Sequence, residues 1–311
     1  MDSIRRIKLK ISTNINMRNV IKTTIVIFVL LLGAQMLNAE TKRALLVGIS
    51  DYGNAMEDPN KWANISGAND VMLLSPLFAE HGYIVTSLVN SLATHAGITK
   101  ALEILAKDSR KGDLVYIHFS MHGQPFEDLN GDEEDGWDEA LIPVDAEMLY
   151  AEGVYEGKNH LLDDELEVYF NDIRSKLGPE GQLVVVLDAC HSGTASRGDD
   201  DHIRGTREGF TRSGKYYTPD RTQETNDYFT VASTNGQSPV TFIEACRSYQ
   251  VNREVRDVET NTWYGSLSFY IAQSMKDNKT VGSEEWVEAI KTGMANNRRL
   301  RKQNVVIEES E

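Results

Sequence analysis

Two hydrophobic patterns alternate along the chain. Short runs of consecutive apolar residues predict strands buried on both faces, as in a parallel sheet. Between them, apolar residues three or four positions apart predict helices. The predicted strands span 43–50, 83–90, 113–120, 182–188, 227–233 and 304–308, and the predicted helices span 64–81, 94–109, 163–177, 266–276 and 283–297. We therefore predict an α/β fold with a mostly parallel central sheet of about six strands and helices on both faces.

Two long polar segments interrupt this alternation. Residues 123–162 are acidic and rich in turn-forming residues, whereas 193–226 are polar, glycine-rich and dotted with arginine and lysine. Each directly follows a strand that carries candidate catalytic residues. Long segments without a periodic pattern in a compact domain are usually functional.

The first 39 residues form a separate unit of sequence. Scattered basic residues precede an apolar run at 25–32, and Leu37-Asn38-Ala39 precede Glu40. This pattern predicts a secretory signal peptide, with Met17 as an alternative start. The apolar run is shorter than the roughly 20 residues of a membrane span, although a retained membrane anchor remains the alternative. We expect a secreted or periplasmic protein whose residues 40–311 form one domain.

The net charge of the chain limits the kinds of molecule that it is expected to bind. The chain holds 32 Lys and Arg against 47 Asp and Glu, for a net charge of −15, and the predicted signal peptide carries six of the basic residues. The remaining residues, 40–311, are therefore strongly acidic, which argues against nucleic acid or an anionic membrane surface as a partner. It suits cationic ligands and hard metal ions, and we expect a monomer.

Chemistry-bearing residues follow two of the predicted strands. "VVVLDACHSG" places Cys190 just past one strand, and "GDLVYIHFS" ends in "MHGQ", which places His122 and Gly123 just past another. If the strands are neighbours, imidazole and thiol face each other, as nucleophilic catalysis by a thiolate requires. The N–H of Gly123 could then help bind an oxyanion. The alternative is that Cys190 is a buried core thiol, as we expect for Cys246, the second cysteine.

The motifs "HFSMHGQ" and "DACHSG", with "DLNGDEEDGWDEALIPVD" and "LLDDEL" between them, resemble the metacaspase branch of the caspase-like cysteine peptidases. "RALLVGISDYG", "GANDVMLL" and "GSLSFY" extend the resemblance over nearly all of residues 40–311. It implies a caspase-like fold with Cys190 as nucleophile and His122 as general acid and base. His191 would then have a structural role.

The resemblance also implies a substrate pocket. The positions that match its S1 pocket are Asp70, Ser120 and Asp188. Carboxylates in a partly dry pocket favour guanidinium or ammonium groups, so we expect cleavage of peptides and proteins after Arg or Lys. The alternatives are a solvated helix residue for Asp70 and a backbone-capping carboxylate for Asp188.

Calcium is the one activator that the resemblance suggests, and the chemistry itself requires no cofactor. The matching acids are Asp138, Asp163 and Asp164, but Arg197 stands nearest the family's fourth acid, with Asp199 two residues on. The choice between a calcium site and a solvated acidic loop stays open. Asp128, Asn130, Asp132 and Glu139 partly match an EF-hand loop, but Glu133 replaces its turn glycine, so we predict no EF-hand.

Self-cleavage is expected within 193–226. This segment offers basic residues for the predicted pocket, at Arg197, Arg204, Arg207, Arg212, Lys215 and Arg221. The alternative is that they merely solvate a surface loop. Two rival functions also remain: a non-catalytic caspase-like binding module and a clostripain-like peptidase of the same clan.

Overall fold

The computed structural model describes residues 40–53, 58, 60–131, 133, 135–190, 203–219, 228–231 and 234–310. Predictions for the signal peptide, Asp132, His191, Arg197, Asp199 and Arg221 lie outside these residues. The described chain from Thr41 onward belongs to one compact unit. None of its helices is both long enough and apolar enough to cross a membrane.

Alternating strands and helices make up this unit. The strands are β1 (Lys42–Gly48), β2 (Tyr83–Val89), β3 (Leu114–Ser120), β4 (His122–Glu127), β5 (Trp137–Ile142), β6 (Leu161–Leu162), β7 (Gln182–Asp188), β8 (Tyr228–Val231), β9 (Val240–Glu244), β10 (Glu254–Asp257), β11 (Thr262–Gly265) and β12 (Val306–Ser310). The α-helices are α1 (Gly67–Glu80), α2 (His95–Asp108), α3 (Asp163–Leu177), α4 (Ser266–Lys276) and α5 (Glu284–Asn296).

The central sheet has the strand order β2-β1-β3-β7-β9-β12-β8. All neighbours pair in parallel except β9 and β12. This confirms the predicted α/β architecture, with seven strands in the described sheet where we expected about six. The additional strand is β9, whose threonine and glutamate interrupt the apolar run that marks the others.

The expectation for 123–162 requires a correction. This segment was predicted as a loop, but β4, β5 and β6 form an antiparallel sheet of their own within it. Gly123 and Pro125 in β4 and the acids around β5 hide the usual strand pattern. A further antiparallel pair, β10 and β11, was also not predicted.

Helices cover both faces of the central sheet, as predicted. One core cluster joins alternate residues of β1 and β3 to α2 and α3, including Leu45, Val47, Ile117, Ile98 and Phe170. The other joins the remaining residues of these strands to α1, α4 and α5, including Leu46, Tyr116, Leu74, Ile271 and Trp286. Successive side chains of a strand point to opposite faces, so continuous apolar runs fill both clusters.

Two glycines let α1 approach the sheet closely. A Cβ at Gly48 would lie 2.1 Å from Gly67 O, and a Cβ at Gly67 would lie 2.2 Å from Ser120 O. The first turn of α1 therefore packs directly on the carboxyl ends of β1 and β3. This contact brings Asp70 to the edge of the sheet where Ser120 ends β3.

Candidate active site

The strands that precede His122 and Cys190 are neighbours. β3 and β7 pair in parallel, and Ser120 is the register partner of Asp188 at their carboxyl ends. His122 and Cys190 each come two residues after this pair. The strands are therefore neighbours, as the sequence prediction required, and both residues follow the same edge of the sheet; that the imidazole and the thiol face each other stays a prediction.

Cys190 is a buried thiol at the end of β7. Its Sγ donates to Gln250 O at 3.0 Å, and the Sγ of Cys246 lies 3.8 Å from the same oxygen. Both cysteines are thiols, and both are buried. The hydrogen bond with Cys190, followed by burial, raises the pKa of Cys246, which therefore stays neutral. Cys246 packs as the buried thiol that we expected.

The His122 imidazole is held in one orientation. It lies between the rings of Tyr52 and Trp62, with both centroids 5.0 Å from its own, and Nε2 lies 2.8 Å from Ala63 O. A carbonyl only accepts, so Nε2 carries the proton and Nδ1 has a lone pair. Burial lowers the pKa of His122 to about 4, so the ring is neutral. Its Nδ1 is buried and has no hydrogen-bond partner among the described residues, which leaves it able to accept a proton.

Gly123 follows His122 in β4 and pairs with Leu141 of β5. Its carbonyl accepts a hydrogen bond from Thr206 N at 3.3 Å. The segment containing Thr206 therefore lies against the glycine that we expect beside an oxyanion. Oxyanion binding by the N–H of Gly123 stays a prediction.

The three residues of the expected S1 pocket converge on one group, the guanidinium of Arg204. Nη2 of Arg204 lies 2.7 Å from Asp70 Oδ2, and its Nη1 lies 2.6 Å from Ser120 Oγ and 3.6 Å from Asp188 Oδ1. Glu254, which sequence reasoning missed, adds a third carboxylate, with Oε1 at 3.0 Å from Nη2. All three ion pairs are fully buried.

Charge is balanced unevenly in this pocket. Burial tends to lower the pKa of Arg204, but Asp70, Asp188 and Glu254 together raise it above its usual range. Burial raises the pKa of Asp70 to about 7, although the Arg204 guanidinium opposes this rise. One buried guanidinium thus faces three carboxyl groups.

Asp188 has a second set of partners. Its Oδ2 accepts from Ser268 N at 2.8 Å and Ser268 Oγ at 2.7 Å, in the first turn of α4, and its Oδ1 accepts from Asn252 Nδ2 at 2.7 Å. Asp188 therefore caps local backbone and also faces the guanidinium. The two interpretations that the sequence left open are compatible.

Arg204, Asn252 and Glu254 carry no distinctive sequence signal. Arg204 is one of several basic residues in a polar segment. It is set apart only by the apolar Ile203 before it and Gly205 after it.

The proposed calcium ligands lie on β5 and in the first turn of α3. Burial, together with Asp163 and other nearby acids, raises the pKa of Asp138 to about 7. Burial likewise raises the pKa of Asp163 to about 6, and Asp163 Oδ1 has no hydrogen-bond partner among the described residues. Asp164 accepts a hydrogen bond from Asn130 at 2.9 Å. Their mutual repulsion and the orphaned oxygen fit a divalent cation in charge and donor type.

The described acids do not form a complete ligand set. Within the described chain, no group of three or more His, Cys, Asp or Glu side chains converges closely enough to hold a metal ion. Asp128, at the first EF-hand position, instead accepts from the backbone N–H groups of Asn130, Gly131 and Glu133. It stabilises its own turn, and the absence of an EF-hand stays a prediction.

Comparisons with known proteins agree with this geometry. A family model described as "Metacaspase, peptidase C14 domain" matches residues 42–197. Metacaspase-1B of Aspergillus fumigatus is 37% identical over 164 residues, which are 50% of this chain and 36% of that protein. Metacaspase-1 of Kluyveromyces lactis is 33% identical over 164 residues, 49% of this chain and 34% of that protein. The match thus spans little more than a third of the curated relatives' length.

A solved structure extends the likeness in fold. The crystal structure of a Geobacter sulfurreducens protein superposes with a TM-score of 0.59 at 20% identity, covering 87% of this chain and 93% of that one. At this identity the likeness concerns the fold alone, which is caspase-like. With half of the chain matched by the family model and its motif residues at the edge of such a sheet, the chain belongs to the metacaspase family of C14 cysteine peptidases.

Proposed function

We propose that this protein is an exported cysteine endopeptidase that cleaves after Arg, and less readily after Lys, through Cys190 and His122. The observation that carries the proposal is the His122 ring, whose buried Nδ1 is left with a lone pair at the sheet edge where Cys190 follows β7. A neutral imidazole in this state can take the thiol proton and later return it to a leaving amine.

The reaction follows from these two groups. His122 Nδ1 accepts the Cys190 proton, and the sulfur attacks the carbonyl carbon of the substrate. The N–H of Gly123 stabilises the negative oxygen of the tetrahedral intermediate. The C–N bond breaks as His122 protonates the amine, and water then hydrolyses the thioester to release the acid and restore the thiol.

Specificity rests on Asp70, Asp188 and Glu254. A planar guanidinium can donate to several carboxylates at once, whereas an ammonium is a point charge, so Arg is favoured over Lys. An acidic P1 side chain would add like charge to the pocket and is excluded.

Calcium activation is the second part of the proposal. Asp138, Asp163 and Asp164 would contribute ligands to the ion after drawing closer together than they lie in the described chain. The ion would neutralise their mutual repulsion and take no part in the hydrolysis. The raised pKa values of Asp138 and Asp163 support this assignment. Export rests on the predicted signal peptide at 1–39. Self-processing within 193–226 completes the proposal.

Fluorogenic peptides that differ only at P1 test the function. With calcium, wild-type protein should cleave Arg peptides well, Lys peptides more slowly and Asp peptides hardly at all. Cys190→Ala and His122→Ala should each abolish cleavage with an unchanged circular dichroism spectrum. His95→Ala, which removes a partly buried histidine paired with Glu165, is the matched control and should keep full activity.

Equal cleavage of Asp and Arg peptides would refute the pocket assignment. Activity in the Cys190→Ala protein would refute the peptidase mechanism. Binding of Arg peptides by wild-type protein without any hydrolysis would instead favour the non-catalytic binding module.

A further inference from the structure

Arg204 occupies the pocket that we assign to a substrate's basic side chain. Its side chain is fully buried, and its Nε and Nη2 both donate to Glu254 Oε1, at 3.2 and 3.0 Å. With Asp70, Ser120 and Asp188, every wall of the pocket contacts the guanidinium. The acidic pocket is thus filled by a side chain of the same chain.

The backbone beside Arg204 pairs as an extended peptide does. Ile203 forms an antiparallel bridge with Arg253, and Arg204 N donates to Asn252 O at 3.2 Å. Extended peptides bind their receptors by such strand addition, in which main-chain bonds give affinity and a side-chain pocket gives specificity. Ile203 and Arg204 combine both features.

After Arg204 the chain runs directly past the candidate catalytic residues. A Cβ on Gly205 would lie 1.7 Å from Cys190 O and 3.0 Å from Gly123 O, and the φ of Gly205 is +144°. Thr206 N then donates to Gly123 O at 3.3 Å. The peptide unit that joins Arg204 to Gly205 therefore lies between the pocket and the Cys190–Gly123 edge.

We propose that residues 203–206 are a resident substrate of this protein's own active site, and that the Arg204–Gly205 bond is the first bond the enzyme cleaves in its own chain. This inference rests on the proposed function, because it requires Cys190 to be a nucleophile. It singles out one of the basic residues of 193–226. It also makes the pocket inaccessible to other peptides until the segment has left.

The cleavage step is balanced as in any thiol peptidase. Cys190 sulfur bonds to the carbonyl carbon of Arg204 after its proton has moved to His122. The bond from that carbon to Gly205 N breaks, and Gly205 N takes the proton. Water then splits the thioester, which leaves a carboxylate on Arg204 and restores the thiol. The new carboxylate lies near Asp70, Asp188 and Glu254, and like-charge repulsion favours departure of the cut end.

Intact mass and N-terminal sequencing locate the cut. Freshly purified full-length protein and its Cys190→Ala variant are incubated with calcium and sampled over time. We expect a new N-terminus at Gly205 in wild type and an intact Cys190→Ala chain. Cleavage of Arg peptides should show a lag that ends as this fragment appears, and enzyme that is already cut should show no lag.

Two variants test whether the chain is cleaved after Arg204 rather than after a neighbouring arginine. Arg204→Lys keeps the positive charge but loses the planar guanidinium that contacts several carboxylates at once. Self-cleavage of this variant should be about tenfold slower, as the loss of one charge-assisted hydrogen bond predicts. Arg207→Gln removes an exposed arginine three residues further on and should process like wild type.

The outcomes distinguish the inference from the function. If wild type cleaves Arg peptides without a lag while the Arg204–Gly205 bond stays intact, or if it cuts first at Arg207 or Arg212, the inference is wrong and the proposed function stands. Arg204 would then be a permanent counter-ion of the pocket. If no Arg peptide and no bond of the chain is cleaved, the proposed function itself is wrong.

Discussion

Replacing Glu254 by alanine should measure how strongly the resident arginine is held. The experiment belongs in the Cys190→Ala background, where we expect the chain to stay uncut. Glu254 accepts from Ser66 N at 2.6 Å and Ser66 Oγ at 2.9 Å, in addition to both bonds from Arg204. Its removal leaves buried donors of α1 and of the guanidinium without this acceptor.

The magnitude follows from burial. Removing one partner of a buried ion pair typically costs about 3–5 kcal/mol. Asp70 and Asp188 still face Arg204, so the lower half of this range is expected here, about 3–4 kcal/mol. For a domain of this size each kcal/mol lowers the melting temperature by about 2–4 °C, which gives a decrease of roughly 6–16 °C.

Differential scanning fluorimetry and urea unfolding would measure the change. Glu259→Ala, at an exposed position five residues away, is the matched control and should melt within about 2 °C of its parent, as surface substitutions do. If the Glu254→Ala protein had the same melting temperature as the Glu259→Ala control, Arg204 would not be paired in the pocket in solution.

Three further results are expected. With calcium removed by a chelator, the melting temperature should fall as the pH rises from about 5 to about 8. The pKa values of Asp138 and Asp163 are raised in the folded protein, to about 7 and about 6. Their stabilising contribution is complete at a pH below the pKa values of the unfolded chain, and it is lost as the two groups ionise in the folded protein. Calcium should reverse this fall at the upper pH, and a flat profile in chelator would contradict the repulsion. Gly48→Ala should lower the free energy of unfolding by about 1–3 kcal/mol in urea titrations, because its Cβ meets Gly67 O, and an unchanged midpoint would argue against that close approach. In processed enzyme, Asp188→Asn should lower kcat/KM for Arg peptides about tenfold or more, as expected when a charged partner is lost, and an unchanged ratio would remove Asp188 from the pocket.

The parts of the fold that could be predicted are those whose hydrophobic pattern is visible in the sequence itself. β1, β3 and β7 are buried on both faces, so their sequences are almost continuously apolar. β4 and β5 lie in a small antiparallel sheet and contain glycine, proline and acids, so composition alone predicts a loop there. Both strands are nevertheless buried along most of their length, so hydrophobic periodicity fails where glycine, proline and polar residues occupy buried strand positions.

The site divides in the same way. Cys190 and His122 follow buried strands and Asp188 ends one. The ends of strands in such sheets gather functional groups, so it could be predicted that these residues lie near one another. Arg204 and Glu254 meet because a polar segment folds back across the sheet edge beside β10. That path depends on tertiary contacts far apart in sequence, such as the pair of Ile203 with Arg253, and no local pattern encodes it.

The tethering of Arg204 to the body of the protein has a consequence for affinity. A group on a short tether competes at an effective concentration in the millimolar range, whatever the protein concentration. A free arginine peptide that binds the emptied pocket with a dissociation constant of about 1 µM would therefore bind the intact chain roughly a thousandfold more weakly. Ligands selected against the uncut protein would be ranked by their power to displace an internal competitor, and dilution of the protein would not relieve that competition.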